Sequence, residues 1–264
     1  MVLMFWLQAG IPKHPLNTSF FRDRFILDLK EIGALDFTAE GHWYYESKAL
    51  ALQDFLGPRK LQSVLDIGSG SAFFSKYLLD HSEITNAICV DTSYPKNSHE
   101  LWHGKSISYR NTIESTQADL VLLMDVLEHV DDDLGLLTQY IAMAPRGSVF
   151  VITVPAFQFM WSGHDEFLGH KRRYTLKEVN TLCSKAGLKI HSSGYFFALI
   201  FPLALFSRLL TKWLQPKSQN IYSQLKRHHR AVNFVLKTLC RAELWAIGKN
   251  KLFGLSVFAI GTKV

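Results

Sequence analysis

Apolar residues follow two periods along this chain, and the changes of period separate predicted helices from predicted strands. Helical spacing covers 17–35 and 43–56, and the second run stops at Gly57-Pro58. Beyond these runs, short apolar segments predict strands at 63–67, 86–90, 106–109, 119–124, 148–154, 188–197 and 252–260. The intervening helices are predicted at 71–80, 131–143 and 175–187, the last opened by the capping box Thr175-Leu-Lys-Glu178. This alternation is typical of a parallel sheet with helices on both faces.

The predicted fold class is α/β, with a doubly wound, mostly parallel sheet, a helical cap before it and a helical insertion before the last strand. A chain of 264 residues with 48% apolar content is long enough for one large core with additions. The predicted segments are a cap at 1–58, a core at 59–195, an apolar and basic insertion at 196–251 and a closing strand in 252–264.

A glycine turn follows the first predicted strand of the core. Residues 64–72 read Val-Leu-Asp-Ile-Gly-Ser-Gly-Ser-Ala. Gly68, Ser69 and Gly70 would let the backbone turn tightly and approach a ligand closely, and the following helix would point its free N–H groups at that ligand. The motif therefore predicts a ligand site at the start of this helix.

Two carboxylates indicate which ligand fits. Asp91 ends the next strand, about twenty residues on, and is placed to hold a ribose diol. Asp66 lies within the first strand, where an anion would repel a pyrophosphate but suit a cationic ligand. With these carboxylates the motif resembles that of the class I S-adenosylmethionine (SAM)-dependent methyltransferases, whose fold is Rossmann-like. This chain departs from that motif at one position, where Ala72 replaces the third glycine. The resemblance covers roughly 60–195 and the final strand, and it implies SAM as the cofactor.

The end of the fourth strand resembles the same segment of small-molecule and quinone O-methyltransferases. That resemblance implies that Met124 and Asp125 contact the cofactor, and Asn111, after the third strand, would read the adenine. Some relatives also bind a divalent metal through an acidic-x-x-Glu-His pattern, which Asp125, Glu128 and His129 match. We predict no metal and prefer local capping or pairing of Glu128 and His129, with the metal site as the alternative.

Candidate catalytic residues crowd the loop at 153–174, which leaves the carboxyl end of the fifth strand. A loop at this end overhangs the ligand in open α/β sheets. His164 or His170 is the candidate general base, because imidazole titrates near neutral pH, and Asp165 or Glu166 would orient it. The alternative is that these histidines only pin the loop by bonding the neighbouring acids.

Aromatic and cationic residues are the candidate substrate contacts. Two arginines of the same loop would hold an anionic group of the acceptor, unless they pair with acids of the fold. The loop resembles one in a bacterial methyltransferase branch that occurs with lipid or glycan assembly. The motif His-Trp-Tyr-Tyr at 42–45 resembles an aromatic motif near the N-terminus of the same branch. The alternative for its rings is that they belong to the core. The predicted substrate-binding residues are Trp43, Tyr45, Trp161, Arg172, Arg173 and Tyr174.

Positive charge is concentrated near the C-terminus. Residues 208–251 carry ten lysines and arginines against one acid, a net charge of +9, whereas the whole chain has +6 and the remainder −3. The apolar run at 196–206 precedes this window, is too short to cross a bilayer, and contains Pro202, which we expect to bend it. We predict that it lies at a membrane surface, and the alternative is a buried helical hairpin.

The predicted activity is SAM-dependent methyl transfer to an oxygen of a lipid-linked, glycan or other amphiphilic anionic acceptor. The predicted partner beyond the substrate is an anionic membrane surface, and the location is cytoplasmic, peripheral at the inner face. Three scattered cysteines without CxxC spacing fit a reducing compartment, and 1–9 does not have the basic start of a signal peptide. The alternatives are a nucleic-acid methyltransferase, ranked lower because an Asn-Pro-Pro-aromatic motif is missing, and a non-catalytic SAM-binding subunit at the membrane.

Overall fold

A computed structural model of the protein describes residues 39, 41–214 and 229–264, and within this part the side chains of 211–214 are left undescribed. The predicted helix at 17–35 lies outside the described residues.

One eight-stranded sheet forms the centre of the fold. Its spatial order is β3-β4-β2-β1-β5-β6-β8-β7. The central pairs β1–β2, β1–β5, β2–β4 and β5–β6 are parallel, whereas β3–β4, β6–β8 and β7–β8 are antiparallel. The strands are β1 (Ser63–Ile67), β2 (Asn86–Val90), β3 (Ser98–Trp102), β4 (Lys105–Arg110), β5 (Leu120–Met124), β6 (Val149–Pro155), β7 (Leu188–Phe196) and β8 (Ser256–Lys263).

Helices cover both faces of this sheet, and apolar residues fill two core clusters between the layers. Strand β5 is buried at every residue because it lies at the middle of the sheet. The predicted fold class is confirmed: a mostly parallel sheet with flanking helices and a helix ahead of the first strand. The helices are α1 (Trp43–Leu56), α2 (Phe73–His81), α3 (Asp133–Met143), α4 (Gly163–Leu168), α5 (Leu176–Lys185), α6 (Phe201–Leu214) and α7 (Arg230–Glu243).

Three features differ from the sequence-based expectation. The closing strand, predicted at 252–260, runs from Ser256 to Lys263 instead. Strand β3 was not predicted, because most of its side chains are exposed and show no apolar alternation. The expected bend at Pro202 is wrong, because α6 begins at Phe201 and a proline in the first turn lacks only an N–H that has no partner within the helix. The helix therefore continues beyond Pro202 to Leu214.

Helix α7 joins the basic segment to the start of the described chain. Asn233 accepts a hydrogen bond from Trp43 N at 2.9 Å and donates one to Gly41 O at 2.8 Å, and Lys237 pairs with Glu46 at 2.5 Å. Among the described helices, none has the length and apolar character that crossing a bilayer requires. Part of the basic window is thus used inside the fold rather than on one charged face.

Candidate active site

The glycine turn has the geometry that the sequence predicts. Gly68 has φ 65° and Gly70 has φ 49°, both in the left-handed region that favours glycine. A Cβ added to Gly68 would lie 2.9 Å from Val126 Cγ2, so a side chain there would meet the segment that follows β5. Ala72, in place of the third glycine, also has a positive φ of 61° and caps α2.

The two carboxylates of the motif are buried beside this turn. Gly70 N donates to Asp91 Oδ2 at 3.0 Å, and Ser93 N donates to Asp91 Oδ1 at 2.8 Å. Ser75 donates from Oγ to Asp66 Oδ2 at 2.8 Å. Asp91 therefore fixes the turn that precedes α2, and its predicted contact with a ribose stays a prediction.

A cavity of about 300 Å³ opens at the carboxyl ends of β1 and β5. Ligands bind at this edge in open α/β sheets. The glycine turn forms one end of the cavity, and imidazole and guanidinium groups form part of the wall. The predicted site residues in its lining are Trp43, Tyr45, Asp66, Gly68, Ser69, Gly70, Met124, Asp125, His164, His170 and Arg173, together with Glu128 and His129 of the metal alternative.

Aromatic rings from the start of α1 close one side of the cavity. Trp43 and Tyr45 are both buried, and Tyr44 between them stacks on Phe197 with ring centroids 5.3 Å apart. Trp43 also meets Phe197 edge to face. These rings belong to the core and the cavity wall at once, so the two alternatives weighed from the sequence do not exclude each other.

A buried ion pair lies where β5 ends. Lys48 of α1 is fully buried and its ammonium group bonds Asp125, which also accepts hydrogen bonds from Thr153 Oγ1 at 3.0 Å and Tyr44 OH at 3.2 Å. Burial by itself raises the pKa of Asp125, but attraction by Lys48 and these hydrogen bonds outweigh it, and the pKa lies below its usual value. Asp125 thus places a negative charge in the cavity lining, which also contains the glycine turn.

His170 lines the cavity and pairs with Asp165, which is fully buried and not part of the lining. The His170 Nδ1 atom lies 2.8 Å from Asp165 Oδ1. Burial works to raise the pKa of Asp165, but the His170 bond and the adjacent Arg173 outweigh it and lower the pKa well below its usual value. Burial, followed by repulsion from His170, lowers the pKa of His164 to about 3. His164 is therefore neutral near pH 7, and a base with so low a pKa is poorly matched to that pH.

The two arginines predicted to clamp an anion have other partners. Arg173 donates from Nε and Nη2 to the two oxygens of Asp165, at 2.6 and 3.0 Å, while it also lines the cavity. Arg172 donates to Asp133 at 3.2 Å and to the carbonyl oxygen of Asp131 at 2.8 Å. Of these two arginines, Arg173 alone lies in the lining, and its charge is matched by Asp165.

Several predicted residues lie outside the cavity lining as the described residues define it. Tyr174 donates a hydrogen bond to Leu127 O at 3.1 Å or to Asp133 Oδ2 at 2.8 Å, and is buried against the end of β5. Asn111 donates from Nδ2 to the carbonyl oxygen of Tyr94. The predicted site residues that are not part of the lining are Asp91, Asn111, Trp161, Asp165, Glu166, Arg172 and Tyr174.

Sequence reasoning missed three residues that line or support the cavity. Lys48 lies on a predicted helix, and its partner is 77 residues away in sequence. Tyr44 was noted only as part of the aromatic motif, and Arg208 only as part of the basic window. Burial, followed by repulsion from Arg173, lowers the pKa of Arg208 to about 10, which places a desolvated cation in the cavity wall.

Comparison with proteins of known structure gives the same fold. A Haloferax volcanii methyltransferase solved with its Trm112 activator has a TM-score of 0.55 at 16% identity, covering 92% of this chain and 96% of that chain. A Bacillus halodurans methyltransferase has a TM-score of 0.51 at 9% identity, covering 82% and 99% of the two chains. A Haemonchus contortus phosphoethanolamine N-methyltransferase 2, solved with SAM, has a TM-score of 0.51 at 16% identity, covering 96% and 61%.

Comparison with sequence families identifies the group to which the chain belongs. Compared with curated proteins, the sequence has no significant match. The methyltransferase domain family matches residues 41–193, more than half of the chain and the part that contains the glycine turn, β5 and the loop after β6. The chain is therefore a member of the methyltransferase domain family.

Proposed function

We propose that this protein transfers a methyl group from SAM to an oxygen of an amphiphilic, anionic acceptor such as a lipid-linked or glycan hydroxyl. The observation that carries the proposal is one continuous cavity, which joins the glycine turn to a wall of imidazole and guanidinium groups. Asp66 and the open backbone of Gly68 fit a cationic cofactor that has no phosphate. The family match and the SAM-bound neighbour of the same fold support this choice of cofactor.

The chemistry that the chain must add is alignment and the removal of one proton. When bound, SAM supplies a methyl group on a sulfonium, which is already a strong leaving group. His170, held by Asp165, is the candidate that takes the proton from the acceptor hydroxyl as its oxygen attacks the methyl carbon. Trp43, Tyr45 and Met124 would exclude water from the path of transfer.

Arg208 supports an acceptor with a negative group. Its guanidinium lines the cavity close to Arg173, and a bound anion would offset the repulsion between the two cations. A Haemonchus contortus neighbour of the same fold has been solved with phosphomonomethylethanolamine, an acceptor that carries a phosphate. In this proposal Arg208 takes the role that the sequence suggested for Arg172.

Helix α6 suggests how an amphiphilic acceptor reaches the cavity. Ile200, directly before the helix, forms an inner row with Ala204 and Arg208 that lines the cavity, while Leu203, Phe206 and Leu210 form an outer row that is exposed. An outer row of this kind fits a membrane surface at the inner face, from which the acceptor head group would enter. A protein partner is the second candidate for the outer row, because the Haloferax volcanii neighbour is bound to an activator protein.

The test is methyl transfer from SAM labelled on its methyl group, with a membrane extract as the source of acceptors. We expect label in the lipid fraction, and we expect Arg208→Gln to reduce it at least tenfold while SAM affinity stays within about threefold. Arg146→Gln, at an exposed arginine away from the cavity, is the matched control and should transfer normally. Label in nucleic acid would contradict the proposal, and SAM binding without transfer to any fraction would favour the non-catalytic subunit.

A further inference from the structure

Three side chains that could bind a metal ion meet in the cavity wall. Glu128 and His129 lie in the single turn Leu127–His129 after β5, and His170 follows α4. One ligand atom from each of the three lies within 4.8 Å of the other two. The fold thus brings His170 close to two neighbouring residues that lie 41 and 42 positions before it in the sequence.

Glu128 is a buried carboxylate that lacks a hydrogen-bond partner. The residue is 0% exposed, and within the described part of the chain neither carboxylate oxygen has a partner. Buried carboxylates in proteins are normally paired or bound to a metal, because the loss of hydration is otherwise unopposed. Glu128 therefore needs a cation or a proton from outside the fold.

Both imidazoles are positioned with one nitrogen available. His170 Nδ1 bonds Asp165, which leaves its Nε2 for a ligand, and the ring centroids of His129 and His170 are 4.7 Å apart. The His129 ring forms a hydrogen bond with the backbone of Gly169. Its buried Nδ1 atom has no hydrogen-bond partner among the described residues. A carboxylate that holds the far nitrogen of a histidine is the usual arrangement behind metal-bound imidazoles.

We propose that Glu128, His129 and His170 bind one divalent transition-metal ion, with zinc as the ion that the ligand set fits best. Two imidazoles and one carboxylate form the protein ligands of many catalytic zinc sites, with further positions left for water or substrate. With bonds of about 2.1 Å at tetrahedral angles, two ligand atoms on one ion are about 3.4 Å apart, so atoms that now lie within 4.8 Å of one another must approach by up to about 1.4 Å. Asp125 is outside this ligand set because Lys48 and Thr153 hold its carboxylate.

The position of the ion suggests that it activates the acceptor hydroxyl. This role rests on the proposed function, whereas the binding of the metal does not. All three ligands line the cavity that would hold the acceptor. An acceptor hydroxyl on the open position of the ion would have a lower pKa, as zinc-bound water does, and would release its proton to solvent before transfer. His170 Nε2 would then be a ligand, and the ion would do what the proposed function assigns to the imidazole.

The test is binding of ZnCl₂ and CoCl₂ to the purified protein after chelation and dialysis. We expect one zinc per chain by calorimetry and a visible absorption band with cobalt. Glu128→Gln and His170→Ala should each weaken zinc binding by at least about 100-fold, since loss of a supporting residue alone costs about 10- to 100-fold. His164→Ala is the matched control, because His164 lines the same cavity outside the cluster and should leave zinc affinity within about threefold.

Thermal unfolding separates metal loss from misfolding. Without metal, Glu128→Gln should melt at or above the temperature of the wild type, because it removes an unpaired buried carboxylate. Zinc should raise the melting temperature of the wild type but not that of the variant. The proposal is overturned if the wild type binds neither ion, or if Glu128→Gln and His170→Ala both bind zinc as the wild type does. Calorimetry with S-adenosylhomocysteine distinguishes the failures: bound nucleoside without zinc overturns the metal site alone, and zinc without bound nucleoside overturns the proposed function alone.

Discussion

Asp125 connects the two halves of the site. Its φ of 57° lies in a region that non-glycine residues rarely adopt, and such strain persists only where the surroundings fix the residue. Lys48, Tyr44 and Thr153 provide that fixation from two different elements. The geometry of the segment after β5, including Glu128 and His129, therefore depends on a lysine of α1.

We predict that Lys48→Met destabilises the protein by about 3 kcal/mol, because it leaves the Asp125 carboxylate without its cation. This is the lower end of the usual range, since the Asp125 side chain is 28% exposed. The loss should be measured by urea unfolding at neutral pH. Lys177→Met, which changes an exposed lysine on α5, is the control and should stay within about 0.5 kcal/mol of the wild type.

The same pair predicts a pH dependence of known sign. The pKa of Asp125 is lowered in the folded state, so its contribution to stability is present above the pKa of the unfolded chain and disappears as the pH falls through the folded value. The difference between the wild type and Lys48→Met should therefore shrink as the pH falls below about 4. A constant difference down to pH 3 would show that Lys48 acts by packing rather than by charge.

Helix α6 is the element on which the proposed entry of the acceptor depends. Glu243, the single acid of the basic window, accepts hydrogen bonds from Ala198 N and Leu199 N at 2.8 and 3.3 Å, just before α6 begins. An acceptor at a helix N-terminus satisfies donors that the helix itself cannot. These hydrogen bonds fix the start of α6, so that its inner row faces the cavity and its outer row is exposed.

The outer row yields a prediction for membrane binding. Changing Leu203, Phe206 and Leu210 together to Gln should weaken binding to phosphatidylglycerol-containing vesicles at least tenfold. Full burial of a large apolar side chain stabilises binding by about 1.5 to 3 kcal/mol, and the triple variant lacks three such side chains. The unfolding temperature should change little, since all three side chains are exposed. Leu101→Gln on the exposed strand β3 is the control for flotation.

Flotation that survives the triple change would remove the outer row as the membrane contact. If the wild type does not float at all, the membrane contact is wrong, and a protein partner is the remaining candidate for binding the outer row.

Elements with an apolar period were predictable, and elements without one were not. The predicted strands at 63–67 and 86–90 agree with β1 and β2 to the residue, because a central parallel strand needs a short apolar run. Strand β3 has no such run. The one signal for it was His103-Gly104, whose φ values of 48° and 83° form the tight turn to β4.

At the scale of the whole molecule, the glycine-turn end of the cavity was predictable and the opposite end only in part. The glycine turn and its carboxylates are local in sequence, so their spacing carries the geometry. The opposite end is built from α1, the turn after β5, the loop after β6 and α6, and tertiary contacts determine which residues meet there. For that reason Arg172 and Tyr174 could not be distinguished from Arg173 before the contacts were known.

The central claim is that the cavity at the glycine turn binds SAM, and calorimetry with S-adenosylhomocysteine and SAM tests it most directly. We expect one molecule bound per chain and at least a tenfold loss in Gly68→Val, because the added side chain strains the turn and meets Val126. Gly104→Val is the matched control: it introduces the same strain at φ +83° in the β3–β4 turn, outside the cavity lining, and should bind as the wild type does. Binding of NADH in place of both nucleosides, or unchanged affinity in Gly68→Val, would contradict the account.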